Sequence, residues 1–251
     1  MTRTAKIILI VAAIAVVIAV INNVMRKYTG DIAEVVNTIT QEHLQNSHPE
    51  RNIKGSRGSV DTMIDYVDIE WIMGEVEVQY GDVEQVCWEE TYIKGSPNED
   101  NVLCYSVEDN RLNLAFCADS DGSRKKNNCV KQLQVTLPRD TEYRKIKVEN
   151  INGNIAISSH STEILAETVN GNATVHTFAH AQKVSMESVN GALSLYLPDT
   201  ASFVAEVDKL NGSVNIDFPN TKHHNEYTVG TAPYIEVDME TINGKISILP
   251  E

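Results

Sequence analysis

From Val60 onward apolar and polar positions alternate with a period of two and are interrupted by turn residues, which predicts strands rather than helices. Within this texture one unit recurs. Asn-Gly stands at Asn152-Gly153, Asn170-Gly171, Asn190-Gly191, Asn211-Gly212 and Asn243-Gly244, at intervals of 18, 20, 21 and 32 residues. Aligned on that dipeptide, each copy reads apolar, any, apolar, acidic, any, apolar, Asn, Gly, any, apolar, any, apolar. The first copy has Ile146, Val148, Glu149 and Ile151 before the dipeptide and Ile155 and Ile157 after it. The fourth has Ala205, Val207, Asp208 and Leu210, then Val214 and Ile216. A degenerate copy lies upstream, with Val67, Ile69, Glu70 and Ile72, then Met73-Gly74, Val76 and Val78.

Asn-Gly between alternating apolar residues is first a hairpin signal, since both residues tolerate a type I′ turn. The period argues for a different arrangement. A repeat of about 20 residues in which each position keeps its chemistry fits coils stacked in register, each side chain lying over its equivalent. Asn amides can then bond in a ladder along the stack while Gly supplies the corner geometry. The expected fold is all-β, a β-solenoid of single-stranded β-helix type over residues 60–251, with a hairpin-built sandwich as the alternative. The 32-residue interval holds residues 219–233, with His223-His224, Tyr227 and, just beyond, Tyr234. It reads as an inserted loop or as a coil lacking the corner.

The N-terminus has a different texture. Every residue from Ile7 to Ile21 is Ile, Leu, Val or Ala, and counting on to Met25 gives 19 residues between Lys6 and Arg26-Lys27. About 20 residues span a bilayer core, so residues 7–25 read as one transmembrane helix behind a cytoplasmic segment 1–6, bound to membrane lipid. A cleaved signal peptide is the alternative, given the small-residue spacing Val17-Ile18-Ala19. Either reading exports the chain beyond Lys27, which gives a single-pass protein of the cell membrane with an extracytoplasmic C-terminal domain. Ile32, Val35, Val36 and Ile39 make one helical stripe behind Asp31, predicting a juxtamembrane helix over 31–45, and the Gly- and Ser-containing stretch 46–59 reads as a linker.

Charge divides along the same boundary. The 251 residues hold 35 Asp and Glu against 21 Lys and Arg, a formal charge of −14. Residues 1–30 carry Arg3, Lys6, Arg26 and Lys27 and no acid, which leaves −18 for the remainder. Such a domain is not built to grip phosphate, so nucleic acid is excluded as a partner. Cys87, Cys104, Cys117 and Cys129 fall in a segment without CxxC. In an oxidising compartment they suggest disulfides, with Cys87 to Cys104 and Cys117 to Cys129 as the preferred pairs. Reduced thiols and a metal site are the alternatives.

The acidic template position gives Glu70, Glu149, Glu167, Glu187, Asp208 and Glu240. Stacked in register these form a column about 5 Å apart, where like charges repel. Glu149, Glu167, Glu187 and Asp208 are the candidate ligands for weak binding of Ca²⁺ or another hard cation, the one cofactor to consider; the plainer reading is a solubilising, water-facing column. His176 and His180 flank a strand end, where a four-residue spacing does not align them, and His223 and His224 would point to opposite sides. Neither pair makes a metal site. No GxSxG, HExxH, GxGxxG or phosphate-loop pattern occurs, so no catalytic residue is assigned.

The strand Val67 to Trp71, the segment Val102 to Leu112, the run Leu133-Gln134-Val135-Thr136-Leu137-Pro138 and the repeated apolar-Asn-Gly corners together resemble the bacterial putative-adhesin β-strand-repeat family over residues 60–251. The resemblance implies a β-solenoid ectodomain, often behind one N-terminal transmembrane helix as in the LiaG type, with no defined functional residues. It leads to the expectation of a non-enzymatic, adhesin-like binding or scaffold protein with a protein or glycan partner at the cell surface. A cell-envelope stress or regulatory partner protein is the alternative reading, and a polysaccharide-active enzyme is a third.

Overall fold

The computed structural model describes residues 53–54, 56–97, 101–116, 129–178 and 181–251. The predicted transmembrane segment 7–25 and the juxtamembrane helix 31–45 lie outside the described residues, as do Cys117 and His180. Among the described residues every regular element is a strand. In chain order these are β1 (Ile53–Lys54), β2 (Arg57–Val60), β3 (Tyr66–Met73), β4 (Val76–Gly81), β5 (Val86–Lys94), β6 (Cys104–Glu108), β7 (Arg111–Ala115), β8 (Val130–Pro138), β9 (Tyr143–Asn152), β10 (Ile155–Ser159), β11 (Ser161–Asn170), β12 (Ala173–Thr177), β13 (Lys183–Asn190), β14 (Leu193–Leu197), β15 (Phe203–Ile216), β16 (Thr221–His223), β17 (Glu226–Val229) and β18 (Ile235–Pro250). The expected linker 46–59 is therefore too long: β1 pairs with β6, and Arg57–Val60 pairs antiparallel with β5, because Val60 carries an apolar side chain into the core.

The repeats are coils, not hairpins. Strands preceding the Asn-Gly corner pair in parallel with their equivalents to make a first wall, and strands beyond it make a second. Register is kept position by position: Glu149 pairs with Glu167, Glu167 with Glu187 and Glu187 with Glu240. Apolar template positions from the two walls face each other. Ile146, Val148, Ile164, Ala166, Val184 and Met186 meet Ile155, Ile157, Ala173, Val175, Leu193 and Leu195, all of them buried. In the five Asn-Gly copies the last apolar position before the corner does not join this core, although its upstream equivalent Ile72 is buried. Ile151, Val169, Val189 and Ile242 are half-buried and Leu210 is exposed, because the period-two alternation from Glu149 puts them on the outer face beside the acids.

The order of the coils in space differs from their order in sequence at both ends. The coil β3–β4 is flanked by β9–β10 on one side and by β7 and β8 on the other. At the opposite end the C-terminal strand β18 lies between β13–β14 and β15, so the fifth repeat sits inside the fourth. Beyond these outermost parallel strands the direction reverses: β6 and β5 cover β7 and β8, and β17 covers the first half of β15, with β16 beyond it. Residues 219–233 are thus neither an open loop nor a coil but a capping hairpin.

At the corners the Asn side chains form the expected ladder. Asn170 Nδ2 donates to Asn152 Oδ1 (2.9 Å), Asn190 to Asn170 (3.0 Å), Asn243 to Asn190 (2.9 Å) and Asn211 to Asn243 (2.9 Å). Glycine is required for two different reasons. Gly74 and Gly212 have φ of 110° and 142°, which L side chains disfavour. At Gly171 and Gly191 the constraint is space: a Cβ at Gly191 would overlap the carbonyl oxygen of Gly171, and one at Gly171 that of Gly153. Those inward-turned carbonyls are met by side chains one residue beyond the acid. Asn150 Nδ2 donates to Gly74 O (2.8 Å), and Thr168 Oγ1 donates to Gly153 O (3.4 Å).

The cap at the β5–β8 end holds a buried ion pair. Lys131 Nζ lies 2.6 Å from Glu90 Oε1, and both side chains are shut off from solvent. The same ammonium donates to Asn101 O (2.7 Å) and sits 3.8 Å from the Phe116 ring centroid. Glu90 Oε2 accepts from the Leu103 backbone N–H (3.1 Å). Removing one partner strands a buried charge, so Lys131→Met is expected to destabilise the fold by about 3 kcal/mol or more, and Lys131→Met combined with Glu90→Leu to recover most of that loss in chemical denaturation. Gly191→Ala, which forces two coils apart, is expected to cost about 3 kcal/mol in the same measurement, and Asn190→Ala about 1 kcal/mol.

Candidate functional site: the outer face of the first wall

Parallel pairing without slippage dictates what this face presents. Each outward position repeats at the interstrand spacing of about 4.8 Å, so one residue type becomes a continuous column. The acidic column runs Glu70, Glu149, Glu167, Glu187, Glu240, Asp208. All six predicted acids are brought together, with one change of order: Asp208 lies at the end beside Glu240 and is not adjacent to Glu187, because β18 is inserted between their strands. Alongside run the outward apolar residues Ile151, Val169, Val189, Ile242 and Leu210.

The middle of the column is crowded with carboxylates. Lys147 Nζ is 3.0 Å from Glu149 Oε1; burial works against the Lys147 charge, but the Glu149 carboxylate outweighs it and raises the lysine pKa. Burial, then repulsion from Glu149 and Glu187, pushes Glu167 up to about 8, against a partial offset from Lys147, and Glu167 shares a hydrogen bond with Glu149. Glu187 is raised by burial and by Asp238. Burial, Glu187 and Asp208 raise Glu240 to about 7. At the Asp208 end, Asn225 Nδ2 from the capping hairpin donates to Asp208 Oδ1 (3.0 Å) and Glu206 Oε1 (3.3 Å). The column is therefore half-buried rather than freely water-facing, and protons relieve its repulsion.

Among the described residues no three His, Cys, Asp or Glu side chains converge as a metal-ligand set. Carboxylates stacked in one column of one wall offer a cation oxygens from one side, whereas Ca²⁺ takes six to eight ligands. The histidines lie apart from the column. His176 Nδ1 is 3.1 Å from Glu251 Oε1 and its ring stacks on Tyr196 at 4.3 Å, on the second wall. His223 and His224 are adjacent in the hairpin turn, exposed, with ring centroids 4.4 Å apart.

The cysteine pairing differs from expectation. Cys87 and Cys129 carry thiols, and Cys104 is in a disulfide whose other half lies outside the described residues. Cys87 does not reach Cys104 because their strands are not neighbours: Cys87 pairs with Ser59 and Thr136, and Cys104 with Lys54 and Ala115. Cys129, expected to pair with Cys117, is buried at the start of β8, where Asn101 Nδ2 lies 3.5 Å from its sulfur.

Sequence reasoning missed the buried Lys131–Glu90 pair and the buried polar slot at Asn150, Thr168 and Ser188. The first had no signal, since Lys131 and Glu90 are 41 positions apart in an otherwise alternating texture. The second had one: the template position after the acid is small and polar in four copies, at Asn150, Thr168, Ser188 and Thr241, a regularity with no purpose on an outer face.

The raised carboxylates fix a pH dependence. The native state holds protons on Glu167, Glu187 and Glu240 that the unfolded chain releases at about 4.5, so raising the pH from about 4.5 to 8 removes stability and further increase removes little more. Glu167→Gln is expected to stabilise the protein on the order of 2 kcal/mol at pH 8.5 and to leave it unchanged near pH 5. Thermal unfolding at the two pH values checks the difference.

Residues 131–249 match the family described as Toastrack DUF4097. No curated protein matches the sequence. Among solved structures, a putative cell adhesion protein from Clostridium sporogenes ATCC 15579 is similar at a TM-score of 0.64 and 18% identity, over 78% of this chain and 99% of that one. A putative adhesin from Bacteroides fragilis NCTC 9343 aligns at 13% identity over 76% and 95% with a TM-score of 0.33. One from Parabacteroides distasonis ATCC 8503 aligns at 11% over 78% and 95% with a TM-score of 0.26. The first likeness carries the fold, and the family match covers the coils from β8 to β18. The register-locked Asn-Gly corners at Asn152, Asn170, Asn190, Asn211 and Asn243 all fall within the stretch similar to the Toastrack DUF4097 family, a family of unknown function.

Proposed function

We propose that the protein is a non-enzymatic, adhesin-like binding or scaffold protein, held at the cell membrane by residues 7–25 with the repeat domain extracytoplasmic, and that the outer face of its first wall meets a protein or glycan partner. The observation that supports this is the pairing of two columns on one wall, carboxylates from Glu70 to Asp208 beside the apolar residues Ile151, Val169, Val189, Ile242 and Leu210. Half-buried like charges destabilise the fold, as the raised Glu167 and Glu240 record. A partner that laid cationic or hydrogen-bond-donating groups along the column would relieve that repulsion, while apolar groups covered the neighbouring column. The carboxylates are register neighbours in one column of one wall, whereas glycoside hydrolysis sets two of them on either side of the scissile bond.

The test is site-specific photocrosslinking in intact cells with the probe at Ser185, on the outer face of β13 between Leu165 of β11 and Asp238 of β18. The full chain is expected to give a discrete crosslinked partner, and Glu167→Lys combined with Glu187→Lys to lose it while the chain stays folded by protease resistance. Crosslinks unchanged by the charge reversal would overturn the assignment of this face. Incubation of the full chain with cell-wall polysaccharide is expected to release no reducing ends; release that Glu149→Gln with Glu167→Gln abolished would make the protein an enzyme.

A further inference from the structure

We propose that Lys131 and Asn101 become joined by an isopeptide bond, which the folded chain forms by itself with Glu90 as the proton acceptor. The three residues come from separate segments that meet inside the cap at the β5–β8 end: Glu90 from β5, Asn101 from the residues before β6, and Lys131 from β8. All are buried, Asn101 at 2% exposure and the Glu90 and Lys131 side chains at 0%. Lys131 Nζ is 2.6 Å from Glu90 Oε1 and donates to Asn101 O (2.7 Å). The Tyr92 hydroxyl lies 2.8 Å from Asn101 Oδ1 and 3.0 Å from Asn101 O, placed to polarise the side-chain carbonyl. Asn101 Nδ2 is 3.5 Å from the sulfur of Cys129, which stands two residues before Lys131 and so points to the same face. Trp71 Nε1 donates to Lys131 O (2.8 Å) and fixes the backbone that presents the ammonium.

An ion pair serves stability poorly here. The ring centroids of Phe116, Trp71 and Tyr92 lie 3.8, 5.3 and 5.5 Å from the ammonium, and two charges shut off from water are often less stable than apolar residues of similar volume. Transfer of one proton from Nζ to Glu90 removes both charges and leaves a neutral amine, the nucleophile that amide exchange needs. Its lone pair attacks Cγ of Asn101. The Nζ–Cγ bond forms, the Cγ–Nδ2 bond breaks, and Nδ2 departs as ammonia with a second proton from Nζ. Glu90 keeps the proton it took. An ammonium, a carboxylate and a primary amide thereby become a secondary amide, a carboxylic acid and ammonia, and no charge is left in the core. The step asks one movement of Asn101, a rotation about Cα–Cβ that carries its amide from Cys129 towards Nζ. Groups held side by side react as if at very high concentration, and the absence of water keeps hydrolysis from competing. The bond ties the residues before β6 to β8, at the end of the solenoid where β5 reverses the strand direction.

Trypsin digestion of the full chain, after reduction and alkylation so that no disulfide remains, reads the bond directly. Cleavage is blocked at an acylated Lys131, so the expected product is a branched peptide, residues 95–111 joined to residues 127–139 and lighter than their sum by one ammonia. Tandem mass spectrometry is expected to place the junction at Asn101 and Lys131. Asn101→Ala and Glu90→Gln are expected to give linear peptides, with cleavage after Lys131 restored. The wild-type digest carries the result even where a variant fails to fold. Linear peptides from the wild-type chain would overturn the proposal, as would ammonia loss confined to the Asn-Gly corners, or a branched peptide formed as fully in Glu90→Gln as in the wild type. Lys131→Met and its combination with Glu90→Leu both lack the bond, so the recovery expected between them reports the stranded Glu90 charge alone.

Discussion

The fold depends on the close approach of successive corners, in which the carbonyl oxygen of one glycine fills the space where the next glycine would carry a side chain. This approach sets the register. Once the corners are fixed, every residue must lie over its equivalent, and a slip of one position would turn the core outward. The Asn ladder and the donors of Asn150, Thr168 and Ser188 act on the same point, satisfying the carbonyls and amides that the corner would otherwise bury unpaired. Apolar burial between the walls supplies the larger driving force, but it is not directional and could not by itself choose this register.

A parallel stack must end somewhere, and its ends present unpaired backbone. The chain handles this by crossing itself. Its first coil, β3–β4, and its last, β18, are tucked one place inward, each paired on both sides, and the outermost parallel strands are then covered by segments running the other way. Reversal matters because an antiparallel cap does not offer the next coil a matching corner, so it stops the repeat from continuing into a neighbour. The cover reaches both walls at the β5–β6 end, whereas at β15 hairpin β16–β17 reaches the first wall only.

The coils were legible in the sequence because a repeat with regular spacing constrains strand, corner and inward face together, and the position of the acids came with them. The order of the coils was not legible. All copies carry the same template, so Asp208 and Glu240 are equally suited to lie beside Glu187, and the hairpin that turns the chain back after Ile216 decides between them. The outward placement of Ile151 and its equivalents follows from parity with Glu149 and was overlooked because an apolar residue next to a corner invites assignment to the core. The cysteines failed for another reason: pairing Cys87 with Cys104 assumed that sequence neighbours are sheet neighbours, whereas β5 pairs with β8 and β6 with β7.

Register locking treats every outward column alike, whether the stacked residue gains or loses by it. Asn gains, because an amide is both donor and acceptor and can bond to its copy above and below. Glu loses, because a carboxylate offers only acceptors, and its repulsion is relieved at Glu167 by holding a proton well above its ordinary range. Gln at the acidic position would stack as Asn does and remove the cost, and Lys147 shows that neighbouring positions accept other chemistry without disturbing the coil. The column of acids is thus not a consequence of the fold but a departure from what the fold favours. A departure of this kind, on a half-buried wall beside an apolar column, is what the proposed partner-binding role of that face accounts for and the stability of the solenoid does not.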